Sequence, residues 1–290
     1  MAEFGEPIHL PQCEGWVLKR PITDTGDSDA MGCYPMFACG DWSRLADDVE
    51  RLMSTGLVAL SLVPDPFGEY DEGLLKRAFP DYMLPLKEHF VVELRGPIDK
   101  IPNKHHRYYT RKAMEELAVD ACENTSTHVE NWVHLYATLT KRHNISGIRA
   151  FSAESFALQL NVPGAVMFRA LHQGEMVGAH IWYVSHKVAT SHLAAFSEKG
   201  YELMASYALY WKAIEYFQGR VQWMNLGAAA GTAASTGEGL ARFKRGWATG
   251  TRTAFICGRV LNATAYDELA RATETVEAGY FPCYREGEFD

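Results

Sequence analysis

Apolar residues recur along most of this chain at helix or strand spacing, and the period changes every ten to twenty residues. Behind Asp41, Leu45, Val49 and Leu52 repeat at helical intervals. Asp accepts hydrogen bonds from the free N–H groups of a helix start, so a helix is expected from there to Met53, stopped by Gly56. Leu57 to Val63 reads as a buried strand. Pro64-Asp65-Pro66-Phe67-Gly68 must turn, because neither proline can donate to a ladder. A short helix follows near Glu72 to Phe79, then a strand His89–Leu94, a basic helix about Asn103 to Leu117, and a short strand Ala118–Cys122. Residues 1 to 30 hold Pro, Gly and Asp with little periodicity and read as an irregular lead-in; Tyr34 to Cys39 reads as a first strand.

The second half is more regular. Helix Val129–Arg142 places Trp132, Leu135, Tyr136 and Leu139 on one face, and Ser152 caps a second helix through Phe156 to Leu160. Strands are expected at Ala165–His172, Met176–Val184 and Val188–Phe196, the first pair joined by a Gln173-Gly174 turn. Helix Glu202–Phe217 carries Leu203, Tyr207, Tyr210, Ile214 and Phe217 in a 4-3-4-3 spacing. Strands Val221–Leu226 and Thr253–Val260 and helix Ala263–Thr273 follow. Gly227 to Gly239 is a small-residue loop, able to lie close to a ligand or to move. Helices and strands alternate in both halves. The expected class is α/β (α+β): a lead-in at 1–33, a domain at 34–125 and a second at 126–290, packed side by side with a cleft between them.

Bulk properties narrow the functions. A chain of 290 residues, 47% hydrophobic and 22% charged, can bury two ordinary cores. The net charge of −8 argues against non-specific binding of nucleic acid or anionic lipid by the whole surface, while leaving room for a local basic site. The six cysteines are scattered without a C-x-x-C, so neither a disulfide framework nor a zinc site is indicated; His105-His106 and Cys33…Cys39 fit no metal spacing either. The N-terminal residues lack a basic and an apolar signal region, and the run Leu57 to Val63 is far short of the ~20 residues that span a bilayer. A cytoplasmic protein is expected.

An ordered series of motifs in the second half goes further. Val166-Met167-Phe168-Arg169-Ala170 leads through Gly174-Glu175-Met176-Val177-Gly178-Ala179 into His192-Leu193-Ala194-Ala195-Phe196-Ser197. Ala205-Ser206-Tyr207-Ala208-Leu209-Tyr210-Trp211 then opens a helix, Asn225-Leu226-Gly227 ends a strand, and Gly239-Leu240…Phe243-Lys244…Gly246-Trp247 closes the pattern. This series, over 126 to 262, resembles the GNAT superfamily and more closely its FemAB-like branch, which includes BioF2-like acetyltransferase domains. A weaker likeness covers 34 to 125, where His105-His106-Arg107-Tyr108-Tyr109-Thr110-Arg111-Lys112-Ala113 is similar to a basic helix of that branch. The resemblance implies two GNAT-like domains with mixed twisted sheets flanked by helices. It also implies transfer of an acyl or aminoacyl group to an amine, on a small molecule or a peptide. The co-substrate would be acyl-CoA or aminoacyl-tRNA, with no tightly bound cofactor. CoA-dependent GNAT enzymes hold the diphosphate on an Arg/Gln-x-x-Gly-x-Gly/Ala turn. The corresponding segment here is Ser197-Glu198-Lys199-Gly200-Tyr201-Glu202, which keeps Gly200 alone and adds two acids.

The same resemblance assigns candidate residues. Phe243-Lys244 would stand at the donor end of the catalytic site, the lysine meeting phosphate or developing oxyanion charge; a surface lysine beside core aromatics is the other reading. The short run Phe-Lys-Arg-Gly-Trp does not follow from packing alone. Arg242, Arg245 and Arg252 extend the positive charge and could bind donor phosphates, or form a solvated turn. Lys104, Arg107 and Arg111 fall on one helical stripe with Tyr108 and Tyr109 interleaved, a footprint for tRNA phosphates and bases or an ordinary basic face. Lys141-Arg142-His143…Arg149 ends a helix, where cations are favoured anyway, and receives no role. His192 is a candidate base at the start of the central strand, His180 more simply a core histidine. Asn225 at a strand end, and Asp65 and Tyr70 after the Pro-rich turn, are candidate acceptor contacts. The rival class is a degenerate transferase fold that binds without catalysis. Lys244→Ala is expected to remove transfer with a nearly unchanged melting temperature.

Overall fold

A computed structural model describes residues 4–145, 147, 150–229, 238–273 and 280–288. Arg149 and residues 230–237 of the Gly227–Gly239 loop lie outside the described residues. The chain forms two compact units, residues 1–87 with 253–290, and residues 88–252. The expected boundary at 125/126 therefore falls within the second unit.

The first unit holds β1 (Glu6–Leu10), β2 (Gly15–Pro21), β3 (Ser28–Gly32) and β4 (Ala59–Leu62), with β11 (Gly250–Val260) beyond β4. β1 to β3 form an antiparallel meander, β3 and β4 are parallel, and β11 runs antiparallel to β4. The lead-in expected at 1–30 is thus three strands. Their pattern hid them: β1 is mostly exposed and contains Pro7, and β2 buries the adjacent pair Val17 and Leu18 instead of alternating. Pairing, not periodicity, holds these strands. Tyr34–Cys39 is not a strand; Phe37 alone bridges Pro64 and is otherwise a buried plug. Asp41 does cap, accepting from Ser43 N at 3.0 Å, and a 3-10 turn leads into α1 (Leu45–Leu52). Asp71 caps α2 (Glu72–Ala78). Leu45, Val49, Leu60, Leu75 and Trp42 share one core.

The second unit begins within β5 (Tyr82–Glu93), which is longer than the expected His89–Leu94. It continues through α3 (Lys104–Glu116), β6 (Ala118–Cys122), α4 (Val129–His143) and α5 (Ala153–Leu160). Three strands follow, β7 (Ala165–His172), β8 (Glu175–Ser185) and β9 (Val188–Phe196). Then come α6 (Glu198–Glu202), α7 (Ala205–Phe217), β10 (Trp223–Gly227) and α8 (Glu238–Arg245). Its strand order is β5-β10-β9-β8-β7-β6; only β9 and β10 are parallel. Period-2 alternation sorts the two faces. Trp182 and Phe168 pack with Leu209, Ile214 and Phe217 of α7, whereas Met167 and Ile181 pack with Trp132, Leu135 and Phe156 of α4 and α5. Ser152 caps α5 as expected, and Asn103, expected as the first residue of its helix, caps α3. Gln173 and Gly174 both take positive φ, the geometry of a two-residue hairpin turn. The helix expected at 202–217 is two helices, broken where Met204 takes φ 56°. The fold is mixed α/β, with helices flanking mixed sheets, as expected. α9 (Ala263–Ala272) follows β11 in the first unit.

The C-terminal residues fasten the first unit through one buried carboxylate. Asp29 on β3 is 3% exposed. It accepts from Arg285 Nε at 2.6 Å and Nη2 at 2.9 Å and from the Tyr284 hydroxyl at 3.1 Å. Removing one partner strands a buried charge, which costs several kcal/mol. Asp29→Ala is expected to lower stability by about 3 kcal/mol in urea unfolding; a loss below about 1 kcal/mol, the ceiling for an exposed pair, would show that the clamp contributes little.

Candidate active site

Parallel pairing of β9 with β10 lasts three steps: Val188 with Trp223, Ala189 with Met224, and Thr190 with Asn225. Past that point β9 runs on to Phe196 with β8 as its ladder partner, while β10 ends at Gly227. The strands diverge there. The register of β9 on β8 also slips, from Leu193–Ile181 to Ser191–Trp182, so His192 is a bulged extra residue. Divergence and bulge together leave the β10-facing edge of β9 without a strand partner beyond Thr190 among the described residues. Backbone N–H groups on such an edge are the donors that a developing oxyanion needs.

Lys244 reaches the end of β10 from α8. It is 9% exposed, and its Nζ donates to Ala228 O at 2.7 Å, just past the end of β10. Gly227, at φ 75°, leaves room for it: a Cβ there would lie 3.3 Å from Nζ. Asn225 is fully buried. Its Oδ1 accepts from Gly227 N at 2.9 Å and faces His89 Nδ1 at 3.1 Å, while its Nδ2 has no partner among the described residues. On the α7 side of β8, His180 Nε2 meets Ser191 Oγ at 2.8 Å, and the Tyr210 hydroxyl shares that serine. Burial first, and the Lys244 cation second, push His180 down to about 3. Burial likewise holds the Tyr210 phenol well above its usual range. The inner wall is therefore a neutral imidazole and a neutral phenol beside one buried cation.

The motif that carries Lys244 has a packing explanation for its other members. Trp247 is fully buried, and Phe243 packs edge-on to Tyr207 and Tyr210. A Cβ on Gly246 would sit 2.0 Å from the His106 ring, so only glycine fits. His106 Nε2 donates to Phe243 O at 2.8 Å, tying α3 to α8. Within Phe-Lys-Arg-Gly-Trp only Lys244 remains unexplained by packing, a narrower conclusion than the sequence suggested.

The remaining candidates are spread out. His192 turns to the α4–α5 side, against Phe151 and Tyr183, with Nε2 2.7 Å from Gln159 Oε1; burial pushes it down to about 4. Arg242 pairs with Glu238 one turn back and is 78% exposed, Arg245 lies over Phe90, and Arg252 lies over Trp223. Gly200 is set by packing: a Cβ would strike Val177 O at 2.0 Å, and its N–H is taken by Ser197 Oγ at 3.1 Å. Lys104, Arg107 and Arg111 are exposed on α3. Arg107, Arg111, Thr110 and Met114 line a cavity of about 520 Å³ with Trp211 of α7. Asp65 and Tyr70 belong to the first unit, where Asp65 Oδ1 accepts from Phe67 N at 3.0 Å and Tyr70 packs on Trp42. Sequence reasoning missed Ser191, Tyr210 and His89 as polar members of the site. Only pairing across strands reveals them. Among the described residues no group of three or more His, Cys, Asp or Glu side chains is placed to hold a metal, and no helix is long and apolar enough to cross a membrane.

No protein-family model matches the chain, and no curated protein matches it. Solved structures do. FemX is similar at 11% identity, over 89% of this chain and 87% of that one, with a TM-score of 0.65. The C-terminal domain of a putative lysylphosphatidylglycerol synthetase from Agrobacterium fabrum is similar at 17% identity, over 95% and 89%, with a TM-score of 0.66. L-PGS from Bacillus licheniformis is similar at 15% identity, over 84% and 81%, with a TM-score of 0.61. The chain has the fold of these proteins, and the resemblance to FemAB-like GNAT folds holds at that level.

The depressed His180 makes stability depend on pH. Its folded pKa, about 3, lies below the unfolded value near 6.5. The stabilisation is therefore complete above that unfolded value and is lost as pH falls through it toward the folded one. Between about pH 8 and about pH 5 this one group should cost about 2 kcal/mol. Urea unfolding at the two pH values measures the loss; His180→Gln should shrink it by that amount, and an unchanged pH dependence would contradict a neutral, buried His180.

Proposed function

We propose that this protein is an N-acyltransferase that moves an acyl or aminoacyl group from an activated donor to an amine on a small molecule or peptide. The observation that carries the reading is the buried ammonium of Lys244 at the divergence of β9 and β10. Burying a lysine is costly unless its charge is used, and here the charge stands beside an unpartnered strand edge. An acyl carbonyl entering the gap would meet backbone N–H groups and a fixed cation as negative charge gathers on its oxygen. In such a site the amine nitrogen forms its bond to the carbonyl carbon, and the donor's C–O or C–S bond breaks.

Of the two donors, aminoacyl-tRNA is favoured over acyl-CoA. The segment that would hold a diphosphate is a five-residue helix, α6, with Glu198 and Glu202 in it and the Gly200 N–H already occupied. In contrast, α3 presents Lys104, Arg107, Arg111 and Tyr108 to solvent. Cations with interleaved aromatics suit a single-stranded RNA end. A cytoplasmic setting, where charged tRNA is made, belongs to the same proposal. The rival reading, a binding protein without catalysis, finds little support in Lys244, because a purely structural position would be served by an apolar side chain of the same length.

Offering CoA esters and charged tRNA separately, with amine acceptors and mass detection of product, tests the reaction class. Burial of Lys244 revises the alanine expectation. Alanine would leave a void beside Gly227 and remove the donor to Ala228 O, so the melting temperature should fall as well. Lys244→Met keeps the stem volume. It should lower kcat by about 100-fold or more, the scale of losing one oxyanion donor, with a smaller fall in melting temperature than alanine because no void is left. Activity within about threefold of the wild type would remove Lys244 from the chemistry.

A further inference from the structure

The helix with the proposed donor-binding cations and the helix with Lys244 meet at one imidazole. Lys104, Arg107 and Arg111 of α3 are exposed, while His106 among them is 3% exposed and turned inward. Its Nε2 donates to Phe243 O at 2.8 Å, the carbonyl one residue before Lys244. Its ring lies tilted against Phe243, with centroids 5.4 Å apart, and edge-on to Trp247 at 4.9 Å. A Cβ on Gly246 would lie 2.0 Å from the same ring. Phe243, Gly246 and Trp247, on both sides of Lys244, thus pack on one side chain.

Backbone bonds complete the joint. Asn103, the cap of α3, donates its N–H to Gly246 O at 3.0 Å. Its Oδ1 accepts from His106 N at 2.9 Å and faces the ring Nδ1 at 3.0 Å. Both partners of the ring are acceptors, and a neutral imidazole has one proton; the shorter contact, to Phe243 O, takes it. Phe243 O also accepts from Gly246 N at 3.2 Å, so α8 closes its last turn without the histidine. What the imidazole adds is the place of that turn on α3. Lys244 O accepts from Trp247 N at 3.0 Å and from Ala248 N at 3.1 Å, so the lysine backbone moves with the residues that the ring holds.

We infer that His106 is a positioning residue of the transfer reaction, setting α8, and with it the Lys244 ammonium, in register with the donor-binding face of α3. The inference rests on the transferase reading and deepens it. A donor whose phosphates lie on Lys104, Arg107 and Arg111 brings its carbonyl to a place fixed relative to α3. The cation that meets the charge developing on that carbonyl stands on α8. Stabilisation requires the two in register before the reaction begins, because a cation that must first move into place stabilises less. His106 supplies a side-chain hydrogen bond directly between the two helices. It acts through Lys244 and touches neither donor nor acceptor.

Two variants separate position from fold. His106→Gln keeps a donor, since the glutamine amide nitrogen reaches as far as Nε2; His106→Leu keeps bulk and has no donor. His106→Asn, too short to reach Phe243 O, serves the same comparison where the leucine variant is unstable. In NMR of protein labelled with carbon-13 lysine, the Lys244 Cε signal, identified by its loss in Lys244→Met, should move in His106→Leu and return in His106→Gln. A signal unmoved in His106→Leu overturns the proposal without any assay of transfer. In kinetics with charged tRNA and CoA ester as separate donors, His106→Leu should lower kcat by about 10-fold or more, a misplacement of about 1 Å costing roughly 100-fold. The donor KM should stay within about twofold, since α3 keeps its cations, and His106→Gln should recover most of the rate. A kcat near that of the wild type in His106→Leu, or a glutamine variant as slow as the leucine one despite a normal melting curve, overturns it. A wild-type protein that transfers nothing from either donor removes the transferase reading, and a positioning role within it, even where the Lys244 signal responds to His106.

Discussion

A lysine ammonium sits almost out of water at the end of a β-strand, and the architecture of the second unit is organised around making that tolerable. Charge is expelled from protein interiors unless it is met by oriented dipoles. Here the meeting is made by a carbonyl just beyond β10, and space for it is made by Gly227 at positive φ. The strand that should cover this spot from the other side, β9, turns away after three paired residues. A buried cation and an open strand edge thus occupy one place because the parallel ladder fails there. Each alone has a structural explanation; together they carry the proposal of a site for a group that becomes negative.

The polar groups behind the gap serve the same constraint. His180, Ser191 and Tyr210 form a neutral chain on the α7 side, and the nearby cation disfavours protonation of the histidine. A second positive charge in that wall would compete with Lys244 for whatever the gap receives. On the other side of β10, Asn225 spends its oxygen on Gly227 and His89. Phe90 with Gly227 and Val91 with Asn225 are the ladder pairs beside the end of β10. Their backbones are locked by the β5–β10 ladder, and such locking is the precondition for electrostatic stabilisation without reorganisation.

How much of this could be read from the sequence varied with its physical cause. Helix starts were legible because capping is local: Asp41 and Ser152 each bond an N–H two or three residues on. Strands β7 and β8 were legible as apolar runs, buried almost throughout and bounded by turn residues. The first three strands were not, because exposed edge residues and Pro7 carry no periodic signal. Among the functional candidates, Lys244 stood out through its neighbours in sequence, but the reason for Gly246 and Trp247 was packing against His106 and α7. His89 and Ser191 were invisible as site residues, since what makes them polar members of the site is a partner on another strand. Gly200 shows the converse: a glycine in a suggestive place whose presence Val177 O explains.

The central claim concerns where an acyl carbonyl goes. A crystal structure of the protein with a hydrolysis-resistant aminoacyl-nucleoside, the terminal piece of charged tRNA with an amide in place of the ester, tests it most directly. The account predicts the carbonyl oxygen between the diverging β9 and β10, within hydrogen-bonding distance of the Lys244 Nζ. A ligand bound elsewhere, with the Lys244 Nζ still on Ala228 O and the gap between the strands closed, would contradict it.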